Sequence, residues 1–157
     1  MYVAVFAVIL GIVAIDQLIK YVVVNTLAIG QSIPVIDGVF HFTYVQNFGA
    51  AFSILQHRQA FLILLTGAVM IAVLFVLLRH IRTFDVMTSI SLAMIVGGGV
   101  GNIIDRVRLG YVIDFLDVRL IQFPVFNFAD CCIVIGAFLL LMSALLFSKA
   151  DPEQEAS

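Results

Sequence analysis

Two aspartates stand beside apolar stretches of membrane-spanning length, and they are the residues best suited to chemistry. Asp114 occurs in Tyr111-Val-Ile-Asp-Phe115 and Asp130 in Phe126-Asn-Phe-Ala-Asp130. An ionisable side chain at bilayer depth is costly and usually serves a function. Two neighbouring carboxyl groups do not both ionise easily, so one keeps its proton while the other accepts a proton from water. The pair therefore indicates either general acid–base chemistry on water or proton transport.

Charged and amide residues near other apolar stretches are suited to support the two aspartates. Asp16 and Lys20 stand one helical turn apart and are expected to pair, with the Lys20 stem extending toward the nearer membrane interface. This pair either stabilises the helix or supports the site. Asn47 offers a donor and an acceptor, while Gly49 lets another backbone come close, although both residues also suit a plain turn.

The segment Gly101-Asn-Ile-Ile-Asp-Arg106 combines packing residues with polar ones. Asn102 and Asp105 share a helix face, and Arg106 either neutralises Asp105 or binds a neighbouring carboxylate or carbonyl. Gly110 fits the C-cap of the same helix. The glycines before Asn102 favour close helix packing over chemistry.

The two aspartates are expected to meet because the chain between their helices is short. Gly110 ends one predicted helix and Phe128 begins the next, so the two helix ends are neighbours. Asn127 and Asp130 also suit the N-cap of the second helix. Capping explains each residue alone but leaves the convergence of Asp114 and Asp130 unexplained.

The composition excludes an ordinary soluble domain. The 157 residues are 63% hydrophobic and 11% charged, with a mean hydropathy of +1.18. Too little polar surface remains to cover a soluble protein, so the chain is predicted to be an integral membrane protein. A net charge of −2 without a basic patch argues against a nucleic-acid partner. Cys131 and Cys132 are adjacent and predicted to be free thiols, and no metal-ligand spacing or cofactor motif is present.

Four apolar stretches are long enough for helices that cross about 30 Å of hydrocarbon. The predicted spans are about 2–24, 60–78, 86–104 and 129–147. The first span has neither the basic start nor the cleavage site of a signal peptide, so it is expected to be retained. The four spans form a single predicted domain over residues 1–150, and a polar tail at 151–157 is expected to be disordered.

A small β-sheet at the membrane surface is predicted between the first two spans, over about residues 31–52. Asp37-Gly38 lies between alternating apolar segments and indicates a two-residue hairpin turn. Four spans place both termini on one side of the membrane, and the sheet and both aspartates on the other. The distribution of Lys and Arg does not decide which side is cytoplasmic.

Five motifs, in order and over nearly the whole chain, resemble the lipoprotein signal peptidase (signal peptidase II) family. They are Asp16-Gln-x-x-Lys20, Asn47-x-Gly-Ala-Ala-Phe52, Gly101-Asn-x-x-Asp-Arg106, Val112-x-Asp-Phe115 and Phe126-Asn-x-Ala-Asp130. One departure is Cys131, which stands where the family usually has serine; a thiol donates only a weak hydrogen bond.

The resemblance implies a monomeric, cofactor-free aspartic endopeptidase of the bacterial inner membrane. Such an enzyme cuts diacylglyceryl-modified prolipoproteins before the lipidated cysteine, with both termini cytoplasmic, its site near the outer face, and membrane lipid around it. Asp114 and Asp130 match the catalytic dyad, and the surface sheet matches a substrate-holding cradle. The residues that match the support around the dyad are Asp16, Lys20, Asn47, Gly49, Asn102, Asp105, Arg106 and Asn127.

Three other functions are considered. A small proton-coupled carrier would use Asp16, Asp105, Asp114 and Asp130 as a relay, but the second span has no ionisable residue to continue it. An intramembrane protease of the GxGD type would need an aspartate where this chain has Asn102. A structural subunit held by glycine packing leaves the carboxylates without a purpose.

Overall fold

Within residues 1–49, 58–121 and 123–147, the computed structural model contains four long helices and a three-stranded sheet. In chain order the elements are α1 (Tyr2–Thr26), β1 (Ser32–Ile36), β2 (Phe40–Asn47), α2 (Gln59–His80), α3 (Val86–Leu109), β3 (Val112–Val118) and α4 (Phe128–Phe147). All four helices are long and apolar enough to cross a membrane. The predicted fold class, a mainly α membrane protein of four spans with a small sheet, is therefore confirmed.

α3 is the central helix, and the other three pack against it. Its span is 56% buried, compared with 17–22% for the others, whose outer faces are apolar and suited to contact lipid. Small residues permit this central position. A Cβ atom on Gly98 would clash with the carbonyl oxygen of Ala129 on α4, and one on Gly99 would clash with Sδ of Met70 on α2. The glycine stretch therefore serves close packing, as predicted.

The buried apolar side chains form two clusters, one near each end of the helices. The cluster near the chain start is apolar throughout and comprises Val5, Ile9, Leu77, Ile81, Leu92, Ala93 and Val96. The second cluster joins α1 to the sheet and comprises Val23, Leu27, Tyr44, Ile113 and Phe115. Because the second cluster fixes β3 against α1, it sets the position of residues along β3.

The sheet is antiparallel in the order β1-β2-β3. The predicted two-residue turn at Asp37-Gly38 is wrong in length: Ile36 pairs with Phe40, so residues 37–39 form a three-residue connection, with Gly38 at a φ of 69°. A longer connection suits the irregular register of this hairpin, which shifts between Pro34 and Ile36.

The third strand was not predicted, because the sheet was expected only between α1 and α2. β3 follows α3 and pairs with β2, with Val45 opposite Asp114 and Asn47 opposite Val112. The helix before it, α3, continues past the predicted span end near residue 104 to Leu109, and Gly110 is its C-cap, as predicted. Residues 50–52 of the predicted sheet and the predicted disordered tail at 151–157 lie outside the described residues.

Replacing Gly98 with alanine tests the close contact between α3 and α4. The new methyl group would meet a backbone carbonyl, which cannot rotate away, so Gly98→Ala is expected to destabilise the protein by ~1–3 kcal/mol and to lower its Tm in detergent. Gly11→Ala is the matched control, since no described atom lies within 4 Å of its Cβ position. Equal Tm values for the two variants would contradict the close-packing account.

Candidate active site

Backbone pairing brings the two aspartates to one end of the bundle. Gly110 adopts the left-handed conformation at the C-cap of α3, with a φ of 80°, and turns the chain into β3, which carries Asp114. The chain then returns to β3: Phe126 exchanges backbone hydrogen bonds with Leu116 at 2.8 and 3.1 Å. This pairing places the start of α4, with Asp130 in its first turn, beside Asp114.

Asn127 and Asp130 form a reciprocal cap at the start of α4. The Asp130 amide donates to Asn127 Oδ1 at 3.0 Å, and the Asn127 amide donates to Asp130 Oδ2 at 3.2 Å. Two otherwise unpaired backbone donors are satisfied in this way, as in a capping box. Asn127 is therefore the N-cap, as predicted, whereas Asp130 lies in the first turn and is not the N-cap. The cap fixes Asp130 in place and leaves its other oxygen for further contacts.

Amide side chains bridge the two carboxylates. Asn127 Nδ2 donates to Asp114 Oδ1 at 2.7 Å, and Asn47 Nδ2 donates to Asp114 Oδ2 at 2.9 Å. Asn102 Nδ2 donates to Asp130 Oδ1 at 2.8 Å, and its Oδ1 accepts from Asn127 Nδ2 at 3.0 Å. Asp114 and Asp130 thus belong to one hydrogen-bonded unit built from three asparagines.

Asp114 lies outside the helices and is 2% exposed. Burial raises the pKa of its carboxyl group to about 7, and the nearby Asp130 carboxylate adds to this effect, while hydrogen bonds from Asn47 and Asn127 oppose it. Asp114 therefore retains a proton at pH values where an exposed aspartate has lost it. This is the behaviour of the protonated member of a carboxyl pair.

Lys20 is buried at the centre of the supporting network, with 1% of its side chain exposed. Its Nζ lies 2.9 Å from Asp16 Oδ2, 2.8 Å from Asp105 Oδ2 and 3.0 Å from Asn102 Oδ1. The predicted pairing with Asp16 is confirmed. The predicted extension of Lys20 toward the interface is wrong, because three acceptors inside the bundle satisfy all three ammonium donors.

Both aspartates of this network also accept backbone hydrogen bonds. Asp16 Oδ1 accepts from the Ala129 amide at 3.1 Å, in the first turn of α4, and Asp105 Oδ2 accepts from the Ile113 amide at 3.2 Å, at the start of β3. The pair thereby ties α1 and α3 to the two elements that carry Asp114 and Asp130. Gly101 makes room for this arrangement, since a Cβ there would lie 2.6 Å from Asp16 Oδ2.

Gln17 is a contact that the sequence did not assign to the site. Its Nε2 donates to Asp105 Oδ1 at 2.9 Å, although Gln17 is only half-buried. Its place in the motif Asp16-Gln-x-x-Lys20 was the signal available for this contact.

Arg106 does not neutralise Asp105, whose charge partner is Lys20. Its Nη2 donates instead to the Gly49 carbonyl at 3.2 Å, which matches the carbonyl alternative predicted for it. The Gly49 amide in turn donates to Asn47 Oδ1 at 2.9 Å. Arg106 therefore fixes the segment after β2 against α3.

A cavity of about 730 Å³ opens at the two carboxylates. Its polar wall contains Asn47, Asn102, Arg106, Asp114 and Asp130. Its apolar wall contains residues 123–126 and continues along α4 through Ile133, Val134 and Ile135, the last two of which are exposed on the outer face of the helix. The apolar wall was not predicted, because nothing in the order of these residues distinguishes a cavity from a lipid-facing surface.

The structure gathers every predicted site residue into one connected network of hydrogen bonds and ion pairs. Its members are Asp16, Lys20, Asn47, Gly49, Asn102, Asp105, Arg106, Asp114, Asn127 and Asp130. Cys131 lines the cavity next to Asp130, and both cysteines are free thiols, as predicted.

Sequence comparisons match nearly the whole chain. A family model described as signal peptidase (SPase) II matches residues 8–146. A lipoprotein signal peptidase of Brevibacillus brevis is 45% identical over 140 residues, covering 89% of this chain and 93% of the relative. A lipoprotein signal peptidase of Nostoc punctiforme is 47% identical over 130 residues, covering 83% of this chain and 82% of the relative.

Two solved structures share the fold. A bacterial membrane enzyme determined by the in meso method at 2.3 Å resolution superposes with a TM-score of 0.84 and 30% identity, covering 98% of this chain and 94% of the other. A second, at 1.9 Å resolution, has a TM-score of 0.78 and 31% identity, covering 90% of this chain and 92% of the other.

The raised pKa of Asp114 predicts a pH-dependent stability. An unfolded aspartate loses its proton near pH ~3.9, whereas native Asp114 keeps its proton to a pH of about 7. The native state binds more protons between these values, so the free energy of unfolding falls as pH rises through that window, by at most ~4 kcal/mol. Between about pH 5 and 8, the Tm of Asp114→Asn in detergent should therefore fall less than that of the wild type.

Asp117→Asn is the control for this measurement, because Asp117 lies on the same strand. Burial of Asp117 is outweighed by hydrogen bonds from Thr43 and Arg119, which lower the pKa of its carboxyl group. Asp117→Asn should retain the pH slope of the wild type. A wild-type slope in Asp114→Asn would contradict the raised pKa.

Proposed function

The chain belongs to the signal peptidase II family, and from this membership we propose that it removes signal peptides from diacylglyceryl-modified prolipoproteins, cleaving before the lipidated cysteine. It is a peptidase and a multi-pass protein of a bacterial membrane. The observation that carries the proposed mechanism is the hydrogen-bonded unit of Asp114 and Asp130 at the wall of a cavity that reaches the outer face of α4.

Asp114 and Asp130 act as an aspartic dyad. The ionised carboxylate takes a proton from a water molecule as the water oxygen bonds to the scissile carbonyl carbon. The protonated carboxyl group gives its proton to the leaving nitrogen as the carbon–nitrogen bond breaks. The raised pKa of Asp114, to about 7, supports a pair that holds one proton at neutral pH.

The remaining network residues hold the dyad and the substrate. Asn47, Asn102 and Asn127 position the carboxylates through direct hydrogen bonds. Arg106 stands in the cavity wall, where its guanidinium can donate to a substrate carbonyl. These roles use donors that the structure places within the site, and they need no cofactor.

The two walls of the cavity suit the two parts of a lipidated substrate. The apolar wall along α4 can hold acyl chains, which contribute about 0.8 kcal/mol per buried CH₂ group. The polar wall then holds the peptide segment at the carboxylates. A substrate confined to the bilayer would enter the cavity laterally from the lipid, past the exposed residues Val134 and Ile135 on α4.

The proposed orientation places both termini in the cytoplasm and the dyad near the outer face of the inner membrane, in a chain that acts as a monomer. α1 and α4 have their free ends on the side opposite the sheet, since four helices alternate in direction. The cleavage point of an exported lipoprotein lies on the outer side, which is the side that the sheet and the dyad would occupy.

A proton-coupled carrier is not favoured. A relay across the membrane would have to continue past the dyad into the other half of the bundle. The cluster there is built from apolar residues such as Val5, Leu77 and Leu92. The charged residues of the described network lie together near the sheet.

The function is tested by cleavage of two substrates that differ only in lipid. Detergent-solubilised protein is incubated with a diacylglyceryl-modified prolipoprotein and with its unlipidated twin, and the products are identified by mass spectrometry. Cleavage before the cysteine is expected for the lipidated substrate and at least ~10-fold more slowly for its twin, which lacks the acyl chains that bind the apolar wall. Equal rates would remove the proposed lipid specificity.

The proposed dyad is tested in the same assay with two matched substitutions on β3. Asp114→Asn removes one carboxyl group of the dyad and is expected to lower the cleavage rate by ~10²–10⁴-fold or more. Asp117→Asn alters an aspartate bound to Thr43 and Arg119, and should retain a rate within about threefold of the wild type. Wild-type activity in folded Asp114→Asn would remove Asp114 from the dyad.

A further inference from the structure

A continuous path of hydrogen bonds connects the buried ammonium group of Lys20 to Asp130. Lys20 Nζ donates to Asn102 Oδ1 at 3.0 Å, and Asn102 Nδ2 donates to Asp130 Oδ1 at 2.8 Å. The other two acceptors of Lys20 connect it to the backbone: Asp16 accepts from the Ala129 amide, and Asp105 accepts from the Ile113 amide. Of the partners that Lys20 has among the described residues, Asn102 is the one with a hydrogen bond to Asp130.

This path favours a negative charge on Asp130. An amide whose oxygen accepts from a cation becomes a stronger donor at its nitrogen, particularly where water is excluded. Asp130 Oδ2 also accepts from the backbone amide of Asn127, in the first turn of α4, where the helix dipole favours an anion. Arg106 adds a positive charge whose attraction to Asp130 exceeds its attraction to Asp114.

Asp114 stands in a different environment. Its two oxygens accept from the neutral amides of Asn47 and Asn127, and it makes no ion pair within the described residues. The Lys20 charge lowers the pKa of Asp114 from a distance, but burial outweighs it. It is also almost fully buried, with a pKa raised to about 7, whereas Asp130 is only half-buried. The surroundings of the two carboxyl groups are therefore unequal before any substrate binds.

We propose that Lys20 is a positioning residue that acts through Asn102 to keep Asp130 ionised, so that Asp130 is the base and Asp114 the acid of the dyad. This assignment rests on the peptidase function proposed above. Asp130 takes the proton of the attacking water, and Asp114 gives its proton to the leaving nitrogen. Asp114 is then the ionised member, and transfer of the proton from Asp130 back to Asp114 restores the starting state.

The groups that set the charge of Asp130 come from every neighbouring element. They are Lys20 and Asp16 on α1, Asn102, Asp105 and Arg106 on α3, Asp114 on β3, Asn127 before α4 and Cys131 on α4. The negative charges of Asp16 and Asp105, which pair with Lys20, reduce the effect of its positive charge on groups farther away. The direct hydrogen bond through Asn102 gives Lys20 its specific effect on Asp130.

The test is the dependence of kcat/KM on pH for the wild type and Lys20→Met. The acid limb reports protonation of Asp130, and the alkaline limb reports loss of the Asp114 proton. Loss of a nearby positive charge disfavours the ionised form of a carboxyl group, so the acid limb should move up by about one pH unit. The alkaline limb should move less, because burial has the largest effect on the pKa of Asp114. Arg82→Gln, at an exposed position in the turn between α2 and α3, should move neither limb.

A second variant serves as a control for misfolding of Lys20→Met. Lys20→Met leaves two buried carboxylates without a counter-charge, whereas Lys20→Met/Asp105→Asn restores the net charge of the cluster. The double variant should show the same shift of the acid limb. An unmoved acid limb in either folded variant, or equal movement of both limbs, would overturn the proposal.

The role of Asn102 is tested by a double-mutant cycle. If Lys20 acts through Asn102, Lys20→Met should move the acid limb of Asn102→Ala by less than about half of its effect in the wild type. A full shift in that background would show that Lys20 acts through space, against the proposal. Activity in Asp114→Asn would be a different failure, since it would remove the dyad itself.

Protonation can also be followed without turnover. A protonated carboxyl group has an infrared carbonyl band. The band that is lost in Asp130→Asn is assigned to Asp130. In a folded Lys20→Met, even an inactive one, this band should persist to a pH about one unit higher than in the wild type. Loss of the band at the same pH in both proteins would overturn the assignment.

Discussion

The structure depends on one constraint, the burial of the Lys20 ammonium group inside the helix bundle. A charge removed from water is tolerated only where partners compensate it, and Lys20 has three within 3.0 Å: Asp16, Asp105 and Asn102. Each partner lies at a different junction of the fold. Asp16 binds the first turn of α4, Asp105 binds the start of β3, and Asn102 binds Asp130. Loss of one member of such a cluster typically costs ~3–5 kcal/mol, so the site and the fold are held by the same interactions.

The surrounding sequence accommodates this cluster. Gly101 leaves space for the Asp16 carboxylate, and Gly98 lets α4 approach α3 at the level of Ala129. Gly110 turns the chain from α3 into β3 with a backbone conformation that few other residues adopt. The polar network is therefore enclosed by close helix contacts on one side and by the sheet on the other. Among the described residues, the cavity beside the network extends to the outer surface of α4.

Local patterns predicted the helices and their ends well. Apolar length indicated the four spans, a glycine after two arginines indicated the C-cap at Gly110, and the spacing of Asp16 and Lys20 indicated their ion pair. Contacts between distant segments were not accessible in the same way. Spacing along one helix cannot show that Lys20 also binds Asp105, and β3 was missed because its seven residues gain their strand partner from β2, far away in the chain.

Residue types, spacing and the family motifs together indicated the candidate site residues, and their arrangement came only from the structure. The motifs indicated Asn47, Asn102 and Asn127 as polar neighbours of the dyad, but which asparagine contacts which carboxylate depends on strand register and on the pairing of Phe126 with Leu116. The apolar wall of the cavity has no motif, because lipid-facing and cavity-lining residues have the same composition. The polar residues of the site are therefore recognisable from sequence motifs, whereas its apolar wall is not.

The central claim is that Asp114 and Asp130 work as one unit, and comparison of single and double substitutions tests it most directly. Cleavage rates are measured for Asp114→Asn, Asp130→Asn and the combined variant with one lipidated substrate. Residues that act as a unit lose their effect together, so each single variant should be as slow as the double variant. Two partial losses that multiply in the double variant would contradict the account, because they would mean that each carboxylate contributes alone.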